Sequence, residues 1–162
     1  MFSIGDKVVY PMHGACIIEG IEEKEILGER QEYYILRFPL GGMRVMVPVK
    51  NVDYLGIRQV VSQAEIDEVV EVLSGNETTM PSNWNRRYRY NMEKIRSGDI
   101  YQVADVVRNL MLRDKEKGLS TAERKLLNNA RHILISEIAL SKNLEEKEVS
   151  AMVDKITLDE SV

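Results

Sequence analysis

The chain has 162 residues, of which 44% are apolar and 30% charged, as is typical of a globular protein with one sizeable core or two small ones. Its net charge of −4 is unevenly distributed along the chain. Residues 1–80 carry 7 Lys+Arg and 13 Asp+Glu, residues 81–142 carry 13 Lys+Arg and 7 Asp+Glu, and residues 143–162 carry 2 Lys+Arg and 6 Asp+Glu. The middle block is therefore basic and could contact a polyanion. Since there is no run of about 18 apolar residues and no secretion-type leader, we expect a cytoplasmic protein without a membrane span.

Up to about residue 57, β-branched and aromatic residues come in short runs bounded by glycine and proline. These runs predict five strands, over residues 7–10, 15–21, 32–38, 43–47 and 54–57. The segments 11–14 and 39–42 that connect them have the composition of turns. Five short strands at regular spacing predict a small antiparallel barrel or meander of the SH3 or Tudor type, which we place at residues 1–60.

The remaining residues, 61–162, have the pattern of an all-α domain, so the predicted fold class is α+β. We expect about four helices. Four pairs of residues have capping-box spacing at a helix start, namely Ser62 with Glu65, Asp99 with Gln102, Ser120 with Glu123, and Asn143 with Glu146. Gly98 and Gly118 stand where helices are expected to end. Residues 74–81 are predicted to form a loop or hinge.

Residues 81–90 contain the only tryptophan, Trp84, together with three arginines and two tyrosines. Arginine can neutralise phosphate, and a large flat side chain at a helix start can be pushed against a base step. If a helix begins near Ser82, Trp84 shares a stripe with Tyr88, Met92 and Ile95. Two interpretations stay open, because Trp84 could either complete the helical core or protrude past the helix end as contact surface.

A second basic edge is predicted in the long helix that follows Ser120. Arg124, Asn128 and Arg131 are spaced so that they share one helix face, opposite an apolar stripe. Together with the arginines around Trp84, this edge makes nucleic acid the expected polyanion.

The predicted strand at residues 43–47 has alternating side chains. Met43, Val45 and Val47 are expected to face the barrel core, which leaves Arg44 and Met46 on the other face. If this strand lies at an edge, it could pair with a strand of another chain. Packing of Met46 under the following helices is the alternative.

The sequence offers no candidate active site. The two histidines, His13 and His132, are far apart and lack metal-ligand spacing, while Cys16 lies in an apolar run and is expected to pack. No phosphate-binding glycine motif and no activated nucleophile is present, so we predict no enzyme, no metal, no cofactor and no small-molecule substrate. A methyl-lysine reader would need an aromatic cage, but Tyr33 and Tyr34 must face opposite sides of a strand.

Together these residues resemble the CarD family of bacterial RNA polymerase-binding transcription regulators over nearly the whole chain. The most specific match joins Gly-Asp-Lys-Val-Val-Tyr-Pro at residues 5–11 to Asn-Trp-x-Arg-Arg-Tyr at residues 83–88. Further matching segments are His13-Gly14, Val47-Pro48, Ser97-Gly98-Asp99, Val106-Val107-Arg108 and Gly118-Leu119-Ser120.

The resemblance implies a two-part binding protein without catalytic activity. Residues 1–60 would form a Tudor-like domain that binds the RNA polymerase β subunit by strand-edge pairing. Residues 61–162 would form a helical domain that lies, with little sequence specificity, against promoter DNA at the upstream edge of the melted region. Trp84 would enter the minor groove there as a wedge and stabilise the open promoter complex.

The resemblance also implies which residues make these contacts. The DNA-facing set is Trp84, Arg86, Arg87, Arg89 and Arg124, and the polymerase-facing set is Lys24, Arg44 and Met46. Met46 occupies a position that is arginine in well-studied relatives, and Arg44 on the same strand face could supply the missing charge. The alternative is a protein-only adaptor that holds a partner through the barrel and does not bind DNA.

Overall fold

The computed structural model describes residues 1–158, in which an antiparallel sheet precedes five α-helices. The α+β class is therefore confirmed. The strands are β1 (Lys7–Tyr10), β2 (Gly14–Ile26), β3 (Glu29–Arg37), β4 (Arg44–Pro48) and β5 (Arg58–Gln59), with a short 3-10 turn at Val49–Asn51. The helices are α1 (Gln63–Ser74), α2 (Trp84–Arg96), α3 (Ile100–Glu116), α4 (Thr121–Lys142) and α5 (Glu146–Leu158).

The first four strands form where the sequence predicts them, but the fifth prediction is wrong. Residues 52–56 form a turn, with Gly56 at a φ of 73°, and the last strand is the two-residue β5 paired with β1. Met43 also differs from its predicted core position, because β4 begins one residue later and Met43 is 53% exposed. Val47 is buried as predicted.

The sheet is open, which corrects the predicted barrel and agrees with the predicted meander. Its strand order is β4-β3-β2-β1-β5, so within residues 1–158 the strands β4 and β5 are edges and do not pair with each other. The sheet does not close because β5 is too short: it has only two residues, and its ladder to β1 consists of two residue pairs. The strands β2 and β3 are much longer than their neighbours, and residues 22–32, called the arm below, project beyond β1 and β4 as a two-stranded hairpin.

The helix starts follow the predicted capping chemistry in part. Ser62 and Ser120 each form a complete capping box, at α1 and α4. Asp99 caps α3 by accepting a hydrogen bond from the backbone N–H of Tyr101. The predicted box at Asn143 is wrong, since this residue ends α4 in the left-handed conformation, at a φ of 54°. A left-handed residue at that position satisfies carbonyl groups of the preceding helix rather than N–H groups of the next one.

Two apolar clusters lie in this structure, one on the sheet and one among the helices. Polar contacts from α4 join them. The hydroxyl of Ser136 accepts a hydrogen bond from the backbone N–H of Ala15 at 2.9 Å, and the Lys7 ammonium donates to the Leu140 carbonyl and to the Asn143 side chain at 2.9 and 2.8 Å. The sheet is therefore attached to α4 at both β1 and β2.

A buried carboxylate also connects the sheet to the helices. Glu137 of α4 is 1% exposed and accepts two hydrogen bonds from the Arg58 guanidinium, at 2.7 and 2.8 Å, and one from the Val61 backbone N–H at 2.9 Å. Arg58 also donates to the Gly98 carbonyl in the turn between α2 and α3. This arginine thus ties β5 to two parts of the helical half. No helix in the described part of the chain is long and apolar enough to span a bilayer.

Candidate functional site

The indole of Trp84 is displayed at the start of α2. Asn83 precedes it as the N-cap, and its side-chain oxygen accepts hydrogen bonds from the backbone N–H groups of Asn85 and Arg86 at 2.9 and 3.2 Å. Ile95, at the other end of the predicted stripe, is buried, but Trp84 is 46% exposed. A tryptophan with almost half of its surface in solvent does not fit the interpretation in which it completes the helical core.

Two arginines beside Trp84 are available for a ligand. Arg86 and Arg89 are both exposed. The ion pairs described among residues 1–158 include neither of them. The positive end of the α2 dipole lies at the same turn, and it favours anionic groups such as phosphate. This turn therefore combines an exposed aromatic ring with positive charge, which is one of the two interpretations that the sequence leaves open.

Arg87, another arginine of the predicted DNA-facing set, lies inside the protein. It is only 3% exposed, and its Nε and Nη2 donate to the two carboxylate oxygens of Glu123 at 2.6 and 2.9 Å. Its Nη1 donates to the carbonyl groups of Pro81 and Ser82 at 3.3 and 3.0 Å. All three guanidinium nitrogens are engaged inside the protein, so Arg87 positions the Trp84 turn and is not available to a ligand in this structure.

The pair between Arg87 and Glu123 also joins the two predicted basic surfaces. Glu123 is 1% exposed and belongs to the first turn of α4, next to Arg124. Burial acts to raise the pKa of Glu123, but hydrogen bonds from Arg87 and Ser120 outweigh it and hold the pKa below its ordinary value. The carboxylate therefore stays charged and holds the first turn of α2 against the first turn of α4.

The second basic edge is largely paired within the protein. Arg124, with a side chain 52% exposed, forms two hydrogen bonds of 3.0 Å to Asp114. Arg131 donates to Asp154 at 2.7 Å and to Ser150 at 2.9 Å. A phosphate could reach the exposed Arg124 only in competition with Asp114, and Arg131 contributes less to the predicted edge than its position suggests.

The segment before α2 is held in place and is not a free hinge. Thr78 donates its backbone N–H to the side chain of Asn109 at 3.0 Å, and the Asn109 amide donates back to the Thr78 hydroxyl at 2.8 Å. With the two carbonyl groups held by Arg87, these bonds fix the path of residues 78–82 into Trp84. The backbone that leads into Trp84 is therefore ordered before any ligand arrives, which lowers the entropy lost on binding.

Sequence reasoning missed the buried role of Arg87 and of Glu123. One signal was available: Arg87 lies four residues before Asn91 and eight before the buried Ile95, which places all three on one helix face. The partner could not be identified, because Glu123 is 36 residues further along the chain.

A second candidate surface lies at the sheet edge. Strand β4 pairs only with β3 among the described strands, so the predicted edge position is confirmed. Arg44 is exposed and Met46 is 38% exposed on the face opposite Val47. The guanidinium of Arg44 donates to Glu19 at 2.8 and 3.1 Å, and this hydrogen bonding holds the pKa of Glu19 below its ordinary value. Arg44 must leave Glu19, or share it, to bind another carboxylate.

Lys24, the other predicted polymerase-facing cation, lies on the arm and not on β4. Its Nζ is 3.4 Å from a carboxylate oxygen of Glu22, with both side chains about half exposed. The aromatic cage of a methyl-lysine reader does not form around the tyrosines of β3, since Tyr33 and Tyr34 are both buried. Cys16 is fully buried, as predicted.

Comparison with known families agrees with this architecture. Residues 2–61 match the CarD-like/TRCF RID domain, and residues 68–154 match the CarD C-terminal domain. The Bacillus subtilis (strain 168) protein described as putative transcription factor YdeB is 42% identical over 151 residues, which are 93% of this chain and 99% of that protein. This chain belongs to the CarD family, and that membership supports a role in transcription regulation.

Two solved structures resemble the N-terminal part. The solution structure of the 72-residue N-terminal domain of Myxococcus xanthus CarD is 36% identical, covers 36% of this chain and 79% of its own, and has a TM-score of 0.33. CdnLNt from Myxococcus xanthus is 43% identical, covers 39% of this chain and 89% of its own, and has a TM-score of 0.34. Family membership depends on the two domain matches and the YdeB alignment.

Proposed function

We propose that this protein bridges RNA polymerase and promoter DNA in the bacterial cytoplasm and stabilises the open promoter complex. Residues 1–60 would hold the polymerase β subunit through strand β4, and residues 61–162 would hold DNA at the upstream edge of the melted region. The observation that carries the proposal is the exposed indole of Trp84 on a fixed turn, beside the exposed Arg86 and Arg89.

A wedge of this kind explains how binding could favour the open state. The indole would enter a minor groove that is already unstacked or distorted, while Arg86 and Arg89 neutralise the neighbouring phosphates. Intact duplex offers the ring no such space, so the protein binds open DNA more tightly than closed DNA. Differential affinity is what shifts such an equilibrium, and a difference of about 1.4 kcal/mol changes the open-to-closed ratio roughly tenfold.

Attachment of the sheet to α4 supports bridging. Because Glu137, Ser136 and Lys7 fix the sheet against the helices, a polymerase bound at β4 would hold Trp84 at a defined distance. Tethering raises the effective concentration of the helical domain at the promoter, so a few DNA contacts suffice and no base-reading code is needed.

The polymerase contact would use the free edge of β4. An exposed edge can accept a strand from another chain through main-chain hydrogen bonds, while side chains select the partner. Met46 adds apolar contact there and Arg44 adds charge once it is released from Glu19. Lys24 would contribute from the arm.

A protein-only adaptor is the second candidate function. It is favoured by the burial of Arg87 and by the pairing of Arg124 with Asp114, since both reduce the positive charge free to meet DNA. The two candidates differ in what Trp84 does, because an adaptor would not need its indole exposed at the helix start.

The test is open-complex lifetime on a weakly melting promoter with matched bacterial polymerase. We expect the wild-type protein to lengthen the lifetime and Trp84→Ala, checked for folding by circular dichroism, to lose most of this effect. Tyr90→Ala is a matched control, as Tyr90 is a 38% exposed aromatic residue on the same helix. A folded Trp84→Ala protein with full activity would refute the wedge.

Salt dependence separates the bridge from the adaptor. If Arg89 contacts a phosphate, Arg89→Gln should reduce the slope of log K for DNA against log salt by about 0.9. Arg30→Gln, on the exposed arm, should leave the slope unchanged. If wild-type affinity for promoter DNA in the presence of polymerase does not depend on salt, the adaptor is the better description.

A further inference from the structure

The second basic edge of α4 contains two arginines, and each of them meets an aspartate from a neighbouring helix. Arg124 donates to Asp114 near the end of α3, and Arg131 donates to Asp154 in α5. The surface that the sequence predicts to be basic is therefore partly neutralised within the protein. The two pairs differ in how deeply the arginine is held, and this difference decides which of them can open for a ligand.

Arg131 is held as part of the helical core. Its side chain is only 19% exposed, and its guanidinium also donates to the Ser150 hydroxyl at 2.9 Å and to the sulfur of Met111 at 3.4 Å. Loss of Asp154 alone would leave these two contacts in place. This arginine joins α4 to both α3 and α5, so its role is structural.

Arg124 has different surroundings. Its side chain is 52% exposed and that of Asp114 is 31% exposed. Within residues 1–158, Asp114 is the only group to which the Arg124 guanidinium donates. An ion pair in contact with solvent contributes little to folding, because water and salt screen it. The bond from Arg124 to Asp114 can therefore be exchanged for a bond to phosphate without disturbing the fold.

Asp114 is placed where a carboxylate does not help its own helix. It lies in the last turn of α3, and the negative end of a helix dipole disfavours anions and favours cations. The turn is nevertheless fixed, because the backbone N–H of Gly118 donates to the carbonyl groups of Arg113 and Asp114, both at 3.2 Å. The contribution of Asp114 therefore lies in its contact with Arg124 and not in the stability of α3.

The pair belongs to the part of the molecule that displays Trp84. Arg124 directly follows Glu123, whose carboxylate binds Arg87 and holds the first turn of α4 against the first turn of α2. A guanidinium released from Asp114 would add to the positive charge that these two helix starts offer to a ligand. The state of this one ion pair therefore affects the proposed DNA surface.

We propose that Asp114 is an intramolecular mask, which occupies Arg124 in the free protein and limits the affinity of the helical half for DNA until phosphate displaces it. The inference rests on the proposed function and adds a residue that opposes binding at the same surface. The carboxylate and a phosphate compete for one guanidinium, and each can bind it through two oxygens. A masked protein binds bulk DNA weakly, and tethering through polymerase supplies the local concentration that shifts the competition towards phosphate.

The substitution Asp114→Ala removes the competitor. Alanine is the best helix former, and the change takes a carboxylate away from the end of α3, so the variant should be as stable as the wild type in thermal melting. Without polymerase, it should bind a fluorescently labelled forked DNA duplex about fivefold more tightly at low salt, which is about 1 kcal/mol. The slope of log K against log salt should become steeper by up to about 0.9, because one more phosphate is neutralised.

Two further variants separate the release of Arg124 from a general change in charge. Glu116→Ala removes an exposed carboxylate from the same end of α3, and Glu116 forms none of the ion pairs described among residues 1–158. This control should bind the duplex with the wild-type slope. When Asp114→Ala is combined with Arg124→Gln, the gain in affinity should disappear. An equal gain in Glu116→Ala, or a gain that survives in the double variant, would overturn the inference.

The remaining outcomes distinguish the inference from the function on which it rests. If the wild-type protein lengthens the open-complex lifetime but Asp114→Ala binds the forked duplex like the wild type, Asp114 is not a mask and the proposed function stands. If neither protein binds the duplex and the wild type does not lengthen the lifetime, both the proposed function and the inference are wrong.

Discussion

The substitution Glu123→Gln tests the claim that a buried ion pair positions the Trp84 turn. Glutamine has almost the same shape as glutamate and can still accept the capping hydrogen bond from the Ser120 backbone, as it does in capping boxes elsewhere. The change therefore leaves the α4 start intact, removes the negative charge that faces Arg87, and turns one of the two oxygens that accept from the guanidinium into an NH2 donor. What remains is a buried guanidinium without its counter-ion.

We expect Glu123→Gln to lower the free energy of unfolding by about 3–5 kcal/mol, the range for breaking a buried ion pair by removing one partner. The distances agree with a strong pair, since the two bonds from Arg87 to Glu123 are 2.6 and 2.9 Å and charge-assisted bonds contribute about 1.5–3 kcal/mol each. Against a total of about 5–15 kcal/mol for a protein of ordinary stability, such a loss is easily measured. Urea denaturation followed by circular dichroism at pH 7 measures the free energy of unfolding of the wild type and of the variant.

The pH dependence of this loss has a definite sign. Because the pKa of Glu123 in the folded protein lies below 4.5, its ordinary value, the carboxylate stabilises the fold fully at higher pH, and this contribution disappears as the pH falls through the lowered value. Wild type and Glu123→Gln should therefore differ most above about pH 5 and converge in acid. A loss below about 1 kcal/mol at pH 7 would refute a tight pair.

A double variant checks that the loss comes from an uncompensated charge. Arg87→Met combined with Glu123→Gln removes both ionic groups and keeps most of the buried volume. It should be more stable than the sum of the two single losses predicts, because no buried charge is left alone. Additive losses would show that the two side chains act independently.

Two further predictions concern the sheet and its attachment. Glu137→Gln should lower the free energy of unfolding by about 3 kcal/mol, the lower end of the range for a buried pair, because the Arg58 side chain is 31% exposed. This loss corresponds to a decrease of roughly 6–12 °C in the melting temperature. A calorimetric shift below about 2 °C would contradict the attachment of the sheet by this pair. Burial raises the pKa of the Cys16 thiol to about 12, so at pH 8 a thiol reagent should react with it only through unfolding, and rapid labelling of the folded protein would contradict its buried position.

The sequence alone was enough for features that depend on neighbouring residues. Short runs of β-branched and aromatic residues located β1 to β4, and the capping boxes at Ser62 and Ser120 located the starts of α1 and α4. Alternation along one strand placed Met46 and Arg44 on the face opposite Val47, and the structure shows that both are exposed. These predictions held because backbone conformation and local hydrogen bonding are determined over a few residues.

Other features depended on contacts between distant parts of the chain. Asn143 has the spacing of a capping box but ends a helix, and β5 is too short for the sheet to close into a barrel. The arginines of α2 look alike in sequence, but tertiary packing separates them. The long helix α4 brings Glu123 against Arg87 and buries it, while Arg86 and Arg89 stay in solvent. Burying a charge is unfavourable unless an opposite charge meets it, and only the folded chain decides which arginine has that partner.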